Sequence, residues 1–252
     1  METINAGYIT GSGNELSMTI YGQLFDRADI PLFQDDQRLE LCGACKGVDG
    51  GCPGGGAPYF EQLKRNSSQF YVVVVRFDMA WAIEYGGVGR GVKQSNYFRS
   101  GYADRLTDLY IWRLIKYLEE AAGAYGLGCG NCPTCTPKRC TVMSSNKCVY
   151  PDRRRYSMEA VGVDCSTLHQ ELFEERLPYW YYTPELPRHM HRYAGLFVSN
   201  DIGELLNVAV RADKSYNGAC DDAVPEYELV DLVVHEGAYD EGSHYLGYRP
   251  KS

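Results

Sequence analysis

The chain has 252 residues, 23% of them charged, with a net charge of -8 at neutral pH, ten cysteines and twenty-one tyrosines. That length buries a core without covalent staples, so the cysteines are not needed for stability alone. The acidic balance argues against nucleic acid and anionic membrane as partners and favours a soluble protein.

Residues 1–12 are polar and glycine-bearing, with no basic segment leading into an apolar run, so neither a signal nor a transit peptide is expected. No stretch approaches the eighteen or so apolar residues of a membrane helix. A cytoplasmic protein is expected, and in a reducing compartment an even number of thiols points to metal rather than to disulfides.

Residues 8–10 and 18–21 alternate weakly and read as short strands. Residues 41–58 change character: Cys42, Cys45 and Cys52-Pro53 lie among seven glycines and two prolines, a composition that supports only a loop. Residues 70–77 (FYVVVVRF) form a β-branched and aromatic run, the pattern of a central strand covered on both faces. The glycines of residues 86–91 lack the Lys-Ser/Thr of a phosphate loop and stand well before the next helix, so they read as a flexible connection.

From Asp104 to Tyr125 the apolar residues Leu106, Leu109, Tyr110, Leu114, Tyr117, Leu118 and Ala121 recur at helical spacing, with Asp104 as the expected start cap and Gly126 as the end. Three residues on, Cys129, Cys132, Cys135 and Cys140 follow as C-x2-C-x2-C-x4-C, and Cys148 comes before Pro151. Thiols at successive three-residue steps let one short loop wrap a compact iron-sulfur cubane, whereas a single zinc ion more often takes two separated pairs. Cys129, Cys132 and Cys135 are the clear three. Spacing leaves the fourth open between Cys140 and Cys148. The first loop has three thiols, Cys42, Cys45 and Cys52, and its fourth ligand is Cys165, Cys220, the spare of Cys140 and Cys148, or absent. In the last case an iron would stand open to a small-molecule substrate. A zinc ion in one or both loops is the alternative metal, and Cys165 also reads as a buried inert thiol.

Arg153, Arg154 and Arg155 follow Cys148. Guanidinium groups beside an anionic cluster would raise its potential and dock an acidic partner, or else they form a solvated surface paired to Asp152 or Glu159. Residues 157–160 and 166–177 look helical, and residues 179–182, 195–199 and 228–234 look extended. His189 and His191, either side of Met190, sit at strand ligand spacing but in a polar stretch where a surface role is the ordinary reading. His169, His235 and His244 stand isolated in the sequence.

Helices alternating with strands imply an α/β fold, with α+β as the variant: a mixed sheet with helices and two cysteine-rich metal-binding loops. Residues 1–200 are expected to form the metal-binding domain. Residues 201–252, with a linker-like stretch at 212–225 before the last strand, are expected to form a C-terminal extension packed on it.

The order of these features resembles the bacterial and archaeal family of predicted metal-binding proteins with a cysteine-rich domain. It comprises Cys42, Cys45 and Cys52-Pro53; the strand from Phe70; a helix leading into Cys129, Cys132 and Cys135; Cys148 with Pro151; then Arg155, Ser157, Met158, Glu159, Ala160 and Gly162 to Asp164. The resemblance spans about residues 40–200. It implies metal binding and no particular reaction. The chain departs from the family pattern in the insertion carrying Cys140, in Gly54-Gly-Gly-Ala where a second proline is usual, and in the tail beyond Asn200. The combined expectation is a cytoplasmic protein of anaerobic metabolism that holds one or two [4Fe-4S] clusters and exchanges electrons with a redox protein partner. An iron-sulfur enzyme with an open iron and a zinc-stabilised interaction module are the alternatives.

Overall fold

The computed structural model describes residues 1–9, 15–34, 57–63, 67–78, 96–129, 132, 134, 141–142, 147–177 and 188–215. Five strands form one sheet: β1 (Glu2–Ile9), β2 (Glu15–Asp26), β3 (Gln69–Asp78), β4 (Tyr125–Leu127) and β5 (His189–Val198), in the order β1-β2-β3-β5-β4. Among the described residues three α-helices accompany them: α1 (Asn96–Ala122), α2 (Cys165–Phe173) and α3 (Gly203–Ser215). The α/β expectation holds, and every ladder in the sheet is antiparallel.

The run at residues 70–77 is the central strand. Phe70 through Val75 are all buried, because odd and even side chains each face an apolar layer. On one face Tyr71, Val73, Val75 and Phe77 pack with Ile20, Met190, Ala194 and Leu196 beneath α1 and α3. On the other face Phe70, Val72 and Val74 pack with Phe60, Met158, Val163, Leu168, Tyr193 and Phe197 beneath α2 and the segment leading into it. Three aromatic rings lock this second layer. Phe60 and Phe70 meet edge to face with centroids 5.1 Å apart, and Phe197 lies 5.2 Å from the first and 4.9 Å from the second.

Helix α1 begins at Asn96, eight residues before Asp104, so Asp104 is an interior helical residue and not the start cap. It ends at Ala122, where Gly123 takes the left-handed conformation (φ 62°) and Ala124 N–H donates to the Glu119 carbonyl at 3.1 Å. That six-to-one bond is a Schellman closure, for which Gly123 is suited because it has no Cβ. Gly126, the expected end, instead lies in β4, where a Cβ would collide with Ile115. The buried stripe of α1, Tyr110, Ile111, Leu114, Ile115 and Leu118, keeps the spacing read from the sequence.

Helix α2 is shorter than expected. Asp164 caps it: one carboxylate oxygen accepts the backbone N–H groups of Ser166 and Thr167, both at 3.0 Å, and the other accepts the Thr167 hydroxyl at 2.7 Å. Asp164→Ala is expected to destabilise the protein by about 1–2 kcal/mol, with Asp164→Asn keeping most of that stability, as read from urea midpoints. Residues 157–160 supply only a 3-10 turn, Glu159–Val161. The two short N-terminal strands are longer than expected, and β5 takes in residues 189–198. Residues 212–215 belong to α3, whose Leu206, Ala209 and Val210 join the first core layer. The expected strands at 179–182 and 228–234 and the glycine run at 86–91 lie outside the described residues. Among the described residues no helix is long and apolar enough to cross a membrane.

Candidate metal centres

Helix α1 and β4 deliver the chain to Cys129. Trp112 packs on Gly128, where an added methyl would come within 2.5 Å of the indole, and its Nε1–H donates to the Cys129 carbonyl at 3.1 Å. Gly128 also joins the approach to α2: its N–H donates to the Tyr156 carbonyl at 3.1 Å and its carbonyl accepts Met158 N–H at 2.9 Å. The backbone that presents Cys129 is thereby clamped on both sides.

Cys132 lies against the turn that follows Cys148. Its Sγ accepts the Arg155 backbone N–H at 3.3 Å, and the nearby Thr134 hydroxyl, 3.5 Å from the sulfur, donates to the Arg153 carbonyl at 2.7 Å. Cys129, Cys132 and Cys148 are half-buried and, like buried Cys165, not in disulfides. Soft thiolates held by backbone donors suit an iron-sulfur cluster or a zinc ion. Cys135, Cys140, Cys42, Cys45, Cys52 and Cys220 lie outside the described residues.

The three arginines have separate roles. Arg153 is exposed, and Arg154 stacks its guanidinium 5.0 Å above the Tyr156 ring. Arg155 gives its backbone N–H to Cys132, while its side chain turns to Glu119 of α1 at 3.0 Å and lies over Tyr125. Its carboxylate partner is thus Glu119, not Asp152 or Glu159, because Glu119 stands where α1 ends and also accepts Gly126 N–H at 2.7 Å. Cys165 is 3% exposed at the first position of α2. Burial pushes its thiol well up, and the charges of Glu159, Asp164 and Cys129 push it further.

A second constellation corrects the reading of the histidines. His169 is not isolated in the fold but fully buried, and His191 is not a surface residue: both of its ring nitrogens are buried and, among the described residues, without a hydrogen-bond partner. The two rings meet edge to face with centroids 4.7 Å apart. His169 Nδ1 pairs with the Tyr193 hydroxyl, and its Nε2 stands 3.5 Å from the Glu175 carboxylate. Ligand atoms of His169, Glu175 and His191 all lie within 4.8 Å of one another. Glu175 reaches this position because Glu174 ends α2 in the left-handed conformation (φ 56°), turning the chain back. His189 lies on the same face of β5 and meets Arg76 Nη2 through Nδ1 at 3.0 Å. Beside them a cleft of about 470 Å³ is lined by Asn5, Ser17, Thr19, Arg76, Asp78 and His189.

Burial holds His191 down to about 3, helped by His169, Arg76, His189 and Arg192 around it; burial lowers His169 as well, against the upward pull of Glu175. Both rings are therefore neutral in the folded chain at pH 7, whereas in the unfolded chain they protonate near 6.5. Between those limits the unfolded state binds more protons, so this contribution to stability is whole above about pH 6.5 and is lost as the pH falls toward about 3. Urea midpoints of the metal-free protein are expected to fall with acidification, at up to about 1.4 kcal/mol per pH unit from His191, with a shallower slope in His191→Gln.

The sequence signal for this cluster was only the alternation that places His189 and His191 on one face of a strand. His169 and Glu175 carry no motif, since they are joined to His191 by the packing of α2 on β5. No curated protein and no solved structure matches the chain. A family model described as predicted metal-binding protein (DUF2284) matches residues 57–196, a stretch that includes Cys129, Cys132, Cys148, His169, Glu175 and His191. The chain belongs to that family of predicted metal-binding proteins.

Proposed function

We propose that the cysteine segment after β4 holds a [4Fe-4S] cluster and that the protein exchanges electrons with a soluble redox partner. The observation that carries this reading is the Arg155 amide on Cys132 Sγ, in a segment where Cys129, Cys132 and Cys135 keep three-residue spacing. Backbone N–H groups donated to cluster sulfurs are among the main determinants of cluster potential. Cys129, Cys132 and Cys135, with Cys140 or Cys148, are the proposed ligands, and the bound cluster would supply one-electron chemistry. The protein's own part is to fix those thiols through Trp112, Gly128 and the turn at Pro151–Arg153, and to expose Arg153 beside them for an acidic partner surface. Cys42, Cys45 and Cys52 are proposed to hold a second metal of the same class.

Iron, zinc and acid-labile sulfide analysis on anaerobically prepared protein, with EPR after reduction, tests the proposal. The expected result is about four irons and four sulfides per occupied segment and a reduced-cluster signal. Colourless protein with zinc and no sulfide would replace it with the zinc-stabilised module.

A further inference from the structure

We propose that His169, His191 and Glu175 form a metal centre of different chemistry from the thiol segment, taking a single divalent transition ion, Zn2+, Fe2+ or Co2+, through two imidazoles and one carboxylate. The ligand set determines the class of ion. Two nitrogens and a carboxylate suit borderline ions, whereas calcium and magnesium prefer oxygen throughout and copper(I) prefers sulfur.

Three independent features point to an ion here. The first is spacing. His169 Nε2 and Glu175 stand 3.5 Å apart, which is close to the roughly 3.4 Å that separates two ligands about 2.1 Å from one tetrahedral ion. The second is the orphaned nitrogen atoms. Among the described residues both ring nitrogens of His191 are buried without a hydrogen-bond partner, an arrangement costly in an empty site and eased when the lone pair of one of them meets a cation. The third is the partner on the remote nitrogen of His169. With His169 Nδ1 paired to the Tyr193 hydroxyl, donation of the Nδ1 proton leaves Nε2 free to ligate, and an oxygen partner on the remote nitrogen is the usual support of a ligating histidine.

The scaffold is rigid where precision matters. His169 is held on α2 between Phe173 and Tyr193, and His191 lies on β5 in register with Arg76 of β3. Glu175, half exposed beyond the helix end, gives the centre its access to solvent. The unfavourable neighbours among the described residues are Arg76, whose positive charge is opposed by Glu175 and whose Nη2 is engaged by His189, and Arg192, whose Nε donates to the Thr107 hydroxyl.

The test is a Co2+ titration of the full chain, prepared anaerobically and dialysed against a chelator under conditions that leave its iron and sulfide content unchanged. One additional cobalt is expected, with the weak visible bands of nitrogen and oxygen ligation and no sulfur-to-cobalt charge transfer. Glu175→Gln, at an exposed position that does not endanger folding, is expected to weaken it at least about tenfold, and His191→Gln to abolish it. Iron and sulfide should stay unchanged in both variants. No additional cobalt in the wild-type chain, cobalt bound only with sulfur charge transfer, or binding undiminished in Glu175→Gln would each overturn the proposal. Loss of iron and sulfide from the wild-type protein would instead count against the cluster reading, and the two failures are distinguishable.

Discussion

Cys132→Ser is expected to remove most of the iron and sulfide from anaerobically prepared protein, while Cys165→Ala leaves both in place. The hydroxyl of serine stays protonated near neutral pH and is a hard donor, so it neither replaces a thiolate on iron nor keeps the amide-to-sulfur contact made by Arg155. Cys132 also touches Thr134, which ties the segment to the Arg153 carbonyl, so the change is felt along the turn after Cys148. Cys165 is the control because it opens α2, where it packs with Leu168, Val163 and Met158 in the second core layer. Its thiol, pushed up by burial, behaves as a small apolar group, and its removal should cost about 1 kcal/mol of stability and no metal. Metal analysis on the two variants decides the matter. Full iron and sulfide retention in Cys132→Ser would overturn the assignment of that thiol.

Gly195→Ala is expected to cost about 3 kcal/mol or more, enough to threaten folding of the whole sheet. Gly195 sits in β5, opposite Val72 of β3 on one side and Leu127 of β4 on the other. A methyl placed there would come within 2.1–2.2 Å of the edge of the Phe70 ring. Phe70 is wholly buried and wedged against Phe60 and Phe197, so it has no alternative rotamer that avoids overpacking. The backbone of β5 cannot retreat without breaking ladders to both neighbours. Urea unfolding measures the loss, and the double variant Gly195→Ala with Phe70→Leu supplies the mechanism. If the clash is the cause, the second substitution, destabilising by itself, should recover part of the first. Strict additivity of the two changes would reject the explanation.

The strand at residues 70–77 and the buried stripe of α1 were legible because each is a local pattern: an unbroken apolar run for a doubly covered strand, and helical recurrence for a single buried face. The ends of α1 were less so. Asp104 and Gly126 both have the composition of caps, but Gly123 reaches the closing geometry first and Asn96 begins the helix earlier. The central run of cysteines was equally plain, since ligand spacing is written along the chain. Its supports were not: Trp112, Glu119 and the Arg155 amide come to it from α1 and from beyond Cys148.

By its residues alone, then, the chain declares a run of closely spaced thiols, an acidic balance and the periods of its main helix and strand, because those properties depend on composition and on neighbours a few positions apart. Only the tertiary structure brings His169, Glu175 and His191 together and turns Arg155 toward Glu119, because these contacts depend on the β3–β5 register, the packing of α2 on that sheet and one left-handed residue at its end, all of them relations between segments distant in sequence.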